Sequence, residues 1–236
     1  MKFIFTLPVL CFLFACGTYR QAAADNYSGN YTDTVITQSL FADRNSTISE
    51  ENIQKLLDAS YRLPGSIRVA MVRIDNNNTA SRRYNYFSND EDYLKTQQSY
   101  LDSFTSKLRQ SDRVKKVSVI PEIVVSKTPG FTQLREAAVR LQADVVVVYS
   151  ISSDIYSRYK MFSSPDLKAF ATTQLILLDV RTGMVPFSTI VTKDQFSKKM
   201  KSELDNTQAA NRVQHEAVLL TIDETGRQLL DFLKQD

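Results

Sequence analysis

The 236-residue chain is 43% hydrophobic and 23% charged, with 29 Lys and Arg against 26 Asp and Glu, a globular balance that excludes a wholly disordered protein. Thirteen Phe and eleven Tyr supply a core without disulfide or metal staples. Six Gly and six Pro, under half the usual share, disfavour glycine-rich phosphate loops and turn-dense all-β repeats, which leaves a protein of mixed helices and strands.

The chain opens on Lys2 and an apolar run from Phe3 to Ala15. That run falls short of the roughly 20 residues a membrane helix needs and matches the apolar region of an export signal, about 7 to 15 residues. Its end, Leu13-Phe-Ala-Cys16-Gly17, resembles the bacterial lipobox, which implies cleavage before Cys16 and acylation there. Two or three acyl chains anchor stably where one does not. Removal of residues 1 to 15 leaves 221 residues and takes Lys2 with it, so the formal charge falls from +3 to +2. Cys11 leaves with the signal, and a lipidated Cys16 leaves no thiol for catalysis, a metal site or a disulfide. A near-neutral body with no stretch of five or more Lys and Arg does not call for nucleic acid.

Residues 16 to 46 are polar and mostly aperiodic, and they read as a tether spanning roughly 30 Å if flexible. The folded body then runs from 47 to 236. Thr47-Ile-Ser-Glu50 predicts a capping box ahead of a helix carrying Ile53, Leu56 and Leu57. Ser66 to Ile74 reads as a central strand covered on both faces. Residues 75 to 92 are polar and Asn-rich with scattered aromatics, and read as a long loop or a ragged hairpin. Ser88-Asn-Asp-Glu91 is a second capping box, followed by a long helix with Leu94, Leu101, Phe104 and Leu108 on its apolar stripe. Two extended runs follow, 114 to 120 and 122 to 126, broken at Pro121.

Thr132 predicts the cap of a short helix with Leu134, Ala137, Ala138 and Leu141 on one side, leading into Asp144-Val-Val-Val-Val-Tyr-Ser-Ile151. Strand, short helix and buried strand read as a right-handed crossover with parallel strands. Residues 153 to 169 read as a long connection. A hairpin then turns at Val180-Arg-Thr-Gly183, and a helix from about Asn206 to Lys234 closes the chain, with Gly226 in its stripe set for close approach to the sheet. The fold class is α/β: a mixed central sheet with a βαβ crossover, a hairpin in the C-terminal half and packed amphipathic helices.

This order resembles the α/β lipoprotein domain of the curli-secretion channel component, of the lipoprotein activators of peptidoglycan synthases and of the Tol translocation protein's N-terminal domain. The echoes are Ile67-Arg-Val-Ala-Met-Val-Arg73, Ala143-Asp-Val-Val-Val-Val-Tyr-Ser-Ile151 and Leu177-Leu-Asp-Val-Arg-Thr-Gly183. A nearer resemblance is to the rhombotarget-type lipoproteins, in Val117-Ser-Val-Ile-Pro121, Gly130-Phe-Thr-Gln-Leu-Arg135 and Asp144-Val-Val-Val-Val148. These groups imply a fold and bring no catalytic residues. A curli-type channel would also need two membrane-inserted hairpins; the matching stretches, 81 to 93 and 153 to 169, are short and carry Arg82, Arg83, Asp90, Arg158 and Lys160.

Little in the sequence suggests chemistry. His215 is the only histidine, no Gly-x-Ser-x-Gly elbow accompanies it, and it sits in the C-terminal helix as a boundary residue. Asp90-Glu-Asp92 begins a helix, where acidic residues complement the dipole. Asp144 and Asp179 read as turn acceptors, and Lys198-Lys-Met-Lys201 as a solvated loop. No cofactor or metal is implied. The candidate binding residues are Tyr156, Arg158, Tyr159, Lys160 and Phe162, because exposed aromatics and Arg are enriched in binding hot spots. The expectation is a non-catalytic lipoprotein of the outer membrane, facing the periplasm and held by its lipid, that binds another envelope protein. Self-association is left open, and the alternative is a subunit of an oligomeric curli-type channel. Gly17 is not the aspartate that resembles an inner-membrane retention signal.

Overall fold

A computed structural model describes residues 34–35, 48–74, 90–126, 129–158 and 166–235. The first elements are short. Strand β1 (Thr34–Val35) pairs in parallel with β2 (Ala59–Ser60), so one small ladder falls inside the stretch assigned to the tether. Between them lies helix α1 (Glu50–Leu57), capped by Ser49, whose side chain accepts from the Asn52 amide, two residues later than the predicted Thr47 cap. Helix α1 buries none of its residues, and Leu57 is exposed.

Strand β3 (Ile67–Arg73) pairs in parallel on both sides, with β4 (Val114–Val119) and with β5 (Val145–Arg158), as its continuous apolar run requires. The sheet order is β4-β3-β5-β6-β7, so the middle position belongs to β5 rather than to β3. Helix α2 (Asp90–Leu108) connects β3 to β4. Tyr100, Phe104 and Leu108 of α2 are buried, whereas Leu94, assigned to the same stripe from the sequence, is exposed. The cap residues Ser88 and Asn89 lie outside the described residues.

After Pro121 the chain makes a short 3-10 turn (Glu122–Val124) where a second extended run was expected. Helix α3 (Phe131–Arg140) starts one residue before Thr132, with Gly130 at its cap and no side-chain capping bond. Leu134, Ala137 and Ala138 bury its inner side. The crossover from β4 through α3 to β5 is parallel, but the two strands are not neighbours, because β3 lies between them.

The largest departure concerns residues 153 to 169. Most of this predicted connection is ladder, since β5 runs to Arg158 and pairs antiparallel with β6 (Asp166–Asp179) over fourteen residues. β6 in turn pairs antiparallel with β7 (Phe187–Lys198). The reason is coverage by helix α4 (Asn206–Leu233), capped by Asp205. Its 28 residues span about 42 Å, close to the roughly 48 Å of a fourteen-residue strand. Along it Ala209, Val213, Ala217, Thr221, Ile222 and Leu229 meet Leu167, Ala169, Ala171, Leu175 and Leu177, and all are buried.

The turn after β6 has Gly183 at φ 75°, the left-handed conformation that glycine adopts without strain. Asp179 closes it as predicted, accepting from the Thr182 amide at 2.7 Å and hydroxyl at 2.8 Å. Gly226 does permit close approach, but to α2 rather than to the sheet: a Cβ there would stand 3.0 Å from Lys107 Cγ. Two apolar layers result. One lies between the sheet and α2 with α4, and a smaller one lies under α3, formed by Ala70, Val72, Val146, Val148 and Leu178.

Candidate functional site

Unequal helix length on the two sheet faces creates the candidate site. Helix α3 has ten residues, about 15 Å of cover, and it shields Val146 and Val148 near the start of β5. Alternation then puts Ser150, Ser152, Asp154, Tyr156 and Arg158 on that same face, beyond the end of α3's cluster. Opposite them, by register, stand Gln174, Thr172, Phe170, Lys168 and Asp166 of β6, and then Ile190, Thr192, Asp194, Phe196 and Lys198 of β7. On the reverse face α4 buries Leu167, Ala169, Ala171 and Thr173 of β6 and Val191 of β7, with Ser157 and Lys193 exposed at its margins. One sheet segment is therefore buried on one side and open on the other.

The open face is aromatic. Relative exposure is 59% for Tyr156, 60% for Phe196, 69% for Ile190 and 36% for Phe170, values that place four large apolar groups against solvent. Tyr156 and Phe170 meet edge to face with centroids 5.7 Å apart. The Lys168 ammonium sits 4.7 Å from the Phe170 ring centroid and 3.0 Å from an Asp194 carboxylate oxygen. Thr172 and Thr192 share a 2.9 Å hydroxyl bond across the ladder. Beneath this face, Thr173 and Thr221 hydroxyls lie 2.6 Å apart in the buried seam with α4, and the Gln214 amide donates to the Ser153 hydroxyl at 2.7 Å. The aromatic groups are carried on a backbone fixed by two ladders and a helix.

Of the residues proposed from the sequence, Tyr156 and Arg158 lie on this face at the far end of β5, with Arg158 opposite Asp166. Tyr159, Lys160 and Phe162 lie outside the described residues, as does Cys16. The sequence reading missed Phe170, Lys168, Asp194, Phe196 and Ile190. For the two β6 residues the signal was period two: the alternation Leu167, Ala169, Ala171, Thr173 marks the buried side and leaves Lys168 and Phe170 on the other parity.

Other polar clusters serve the fold. Asp144 accepts from the Arg68 backbone amide at 2.9 Å and from both forks of its guanidinium, with Arg181 3.1 Å away. These partners, Arg68 foremost, hold its carboxyl below the usual range. Glu203 is held low chiefly by its bond from Arg212, 2.6 Å away, and it also accepts from the Met200 amide. Arg212 reaches on to Glu216 at 3.0 Å and to the Lys198 carbonyl, which ties the 199–205 connection to α4. His215 stacks on Tyr100 with centroids 5.1 Å apart, and burial lowers its pKa. A shallow cavity of about 450 Å³ beside α3 is lined by Thr132, Arg135, Glu136, Val139, Arg140 and Val180. Among the described residues no three His, Cys, Asp or Glu side chains gather at one point, and no described helix is long and apolar enough to cross a membrane.

No protein-family model matches the chain, and no curated protein matches it. Solved structures similar to it include a hypothetical protein from Chlamydia trachomatis, at 14% identity and TM-score 0.41, covering 72% of this chain and 99% of that one. A neuraminyllactose-binding hemagglutinin homolog from Helicobacter pylori gives 12% identity and 0.42, covering 70% and 83%. A lipoprotein from Neisseria meningitidis gives 12% identity and 0.33, covering 70% and 98%. At these identities and scores no residue's role passes from those proteins to this chain.

Proposed function

We propose that the chain is an exported lipoprotein, anchored to the outer membrane through acyl chains on Cys16, whose folded body acts without catalysis by binding another envelope protein on the periplasmic side. The Leu13-Phe-Ala-Cys16-Gly17 run and the resemblance to rhombotarget-type lipoproteins support the anchor. The binding role rests on one observation: Tyr156 and Phe170 stand exposed, edge to face, on a sheet segment whose reverse side is locked under α4. Exposed aromatics on a rigid base bind at low entropic cost, because the contact geometry exists before the partner arrives.

Of the stretch 153 to 169 that the channel alternative would insert into the membrane, the described residues 153–158 and 166–169 lie in β5 and β6. Within them Leu167 and Ala169 are buried against α4, which commits these side chains to the body.

Two measurements test the reading. Labelled palmitate is expected to enter the wild-type protein and not Cys16→Ser; equal labelling of both removes the anchor. A photo-crosslinking phenylalanine at position 156, used in intact cells, is expected to give a discrete adduct with a second envelope protein. The same group at exposed Leu57 is expected to give none. Identical adduct patterns from the two positions would show that the open face has no special role.

A further inference from the structure

The two edges of the sheet differ. Strand β4 has six residues, its pairing with β3 shifts register between Ile67 and Arg68, and it carries exposed Lys115 and Lys116. Shortness, irregularity and Lys are the devices by which proteins blunt a sheet edge against pairing with another chain. Strand β7 lacks the first two. It has twelve residues in one-to-one register with β6, with no shift and no Pro inside it, and among the described residues no strand pairs with its outer side. A regular edge of this length presents a row of backbone donors and acceptors ready for an antiparallel strand.

The spacing of its side chains favours a second copy of the same chain. A two-fold axis through one residue of an antiparallel pair sets positions equally far on either side of it opposite one another. The two large apolar residues that β7 exposes, Ile190 at 69% and Phe196 at 60%, lie three residues before and three after Lys193. An axis at Lys193 therefore places Ile190 of each copy against Phe196 of the other, an aromatic-aliphatic cross-strand pair formed twice. No other axis does this. An axis at Thr192 sets Ile190 against Asp194, one at Asp194 opposes two like carboxylates, and one at Phe196 leaves only the last five residues of the strand in register.

The same axis sets Thr192 against Asp194, and Ser188 against Lys198. Its one like-charge contact, Lys193 against itself, falls on the α4 side of the sheet, where each copy brings Glu216, bonded to Gln195, and Glu224. From this we infer that β7 pairs with β7 of a second copy about an axis at Lys193, joining two five-stranded sheets into one. The inference does not depend on the binding role of Tyr156 and Phe170.

The test uses the full chain in mild detergent, with Cys11 and Cys16 replaced by serine so that an introduced cysteine is the only thiol. Sedimentation is expected to show the mass doubling as concentration rises. Ile190→Lys is expected to abolish the doubling, Lys193→Thr to strengthen it, and Tyr156→Ala to leave it unchanged. Because Ile190 is exposed, Ile190→Lys is expected to match the wild-type melting curve at concentrations below the doubling, where both are monomers, which separates lost pairing from lost folding. With a short bis-maleimide, Lys193→Cys is expected to cross-link to itself in far higher yield than Thr189→Cys or Ser197→Cys. A mass that stays single at every concentration overturns the pairing. Equal cross-linking at 189, 193 and 197 overturns the register.

Discussion

One strand, β6, passes through two different environments. Around Leu177 and Leu178 it has helices on both sides, α4 over Leu177 and α3 over Leu178, and both side chains are buried. Eight residues earlier, around Ala169 and Phe170, the α4 side is equally buried, while the opposite side faces solvent. β6 pairs with β5 through both halves, and with β7 as far as Leu177. The length of α3 makes the difference, and it decides which half is structural and which is free to act.

That contrast predicts where stability resides. Leu177→Ala removes a fully buried side chain from a layer closed on both sides and is expected to cost about 2 to 5 kcal/mol, from lost transfer energy and the cavity left behind. Val147→Ala, between β3 and β6 on the same face, is expected to cost on the order of 1 to 3 kcal/mol. Denaturant midpoints measure both. An unchanged midpoint for either would mean that the closed half is not the stable half.

Gly226→Ala probes the α2–α4 seam that seals this layer. Alanine gains about 1 kcal/mol in helix propensity. The new Cβ, however, would stand 3.0 Å from Lys107 Cγ and 3.1 Å from its Cβ, and the latter cannot swing away because α2 holds it. Overpacking of this kind costs about 1 to 3 kcal/mol, so the net change is expected to be destabilising by up to about 2 kcal/mol. A gain in melting temperature would show that the seam gives way easily.

The closed half was also the legible half. Four consecutive valines, a βαβ order and a Val-Arg-Thr-Gly turn carry strong local signals, and the sheet follows from them. The open half was misread as a connection because Ser152, Ser153, Asp154, Ser157 and Arg158 look like loop residues, and their strand conformation is imposed by β6, β7 and α4 from far along the chain. Tyr156 and Arg158 were still picked out by residue type. Phe196 and Ile190 were not, because nothing local tells which parity of β7 lacks a covering helix. The same limit applies to Leu94, which fits the helical period yet lies beyond the reach of the core.

The sole histidine adds a pH dependence to the seam between α2 and α4. His215 is held against Tyr100 with its Nδ1 buried and without a hydrogen-bond partner, and burial lowers its pKa below the free value of about 6.5. The unfolded chain then binds the proton more readily than the native one, so stability falls as pH drops through about 6.5 and stops falling once the folded form is protonated. His215→Phe keeps a ring on Tyr100 and is expected to flatten that window. It should leave the acid limb below pH of about 4.5, to which Asp144, Glu203 and Glu224 contribute, since their folded pKa values are depressed and their contribution is lost only on protonation. If His215→Phe and wild type lose stability in parallel from neutral pH down, the imidazole is not the group that titrates.

The smallest effects on stability are expected where the aromatic groups are most prominent. Phe170→Ala removes an edge-to-face partner of Tyr156 and the ring beneath the Lys168 ammonium, contacts worth about 0.5 to 1.5 kcal/mol in sheltered settings and less in water. Its ring leaves no closed cavity behind. Tyr156→Ala takes away a side chain that is 59% exposed. Each is expected to lower stability by less than about 1 kcal/mol, and Lys168→Ala by less still, since its pair with Asp194 is a solvent-exposed one. The sum should fall well short of the loss from Leu177→Ala alone, although the double variant strips more aromatic surface than that one substitution strips aliphatic. Binding should show the reverse order, with Tyr156→Ala and Phe170→Ala reducing the adduct formed by a photo-crosslinker at Gln174, exposed on the same face and away from the β7 edge, and Leu177→Ala reducing it only as far as it unfolds the protein. If Phe170→Ala melts as early as Leu177→Ala, the open face is core in its own right, and its aromatic residues are exposed by accident of packing rather than for recognition.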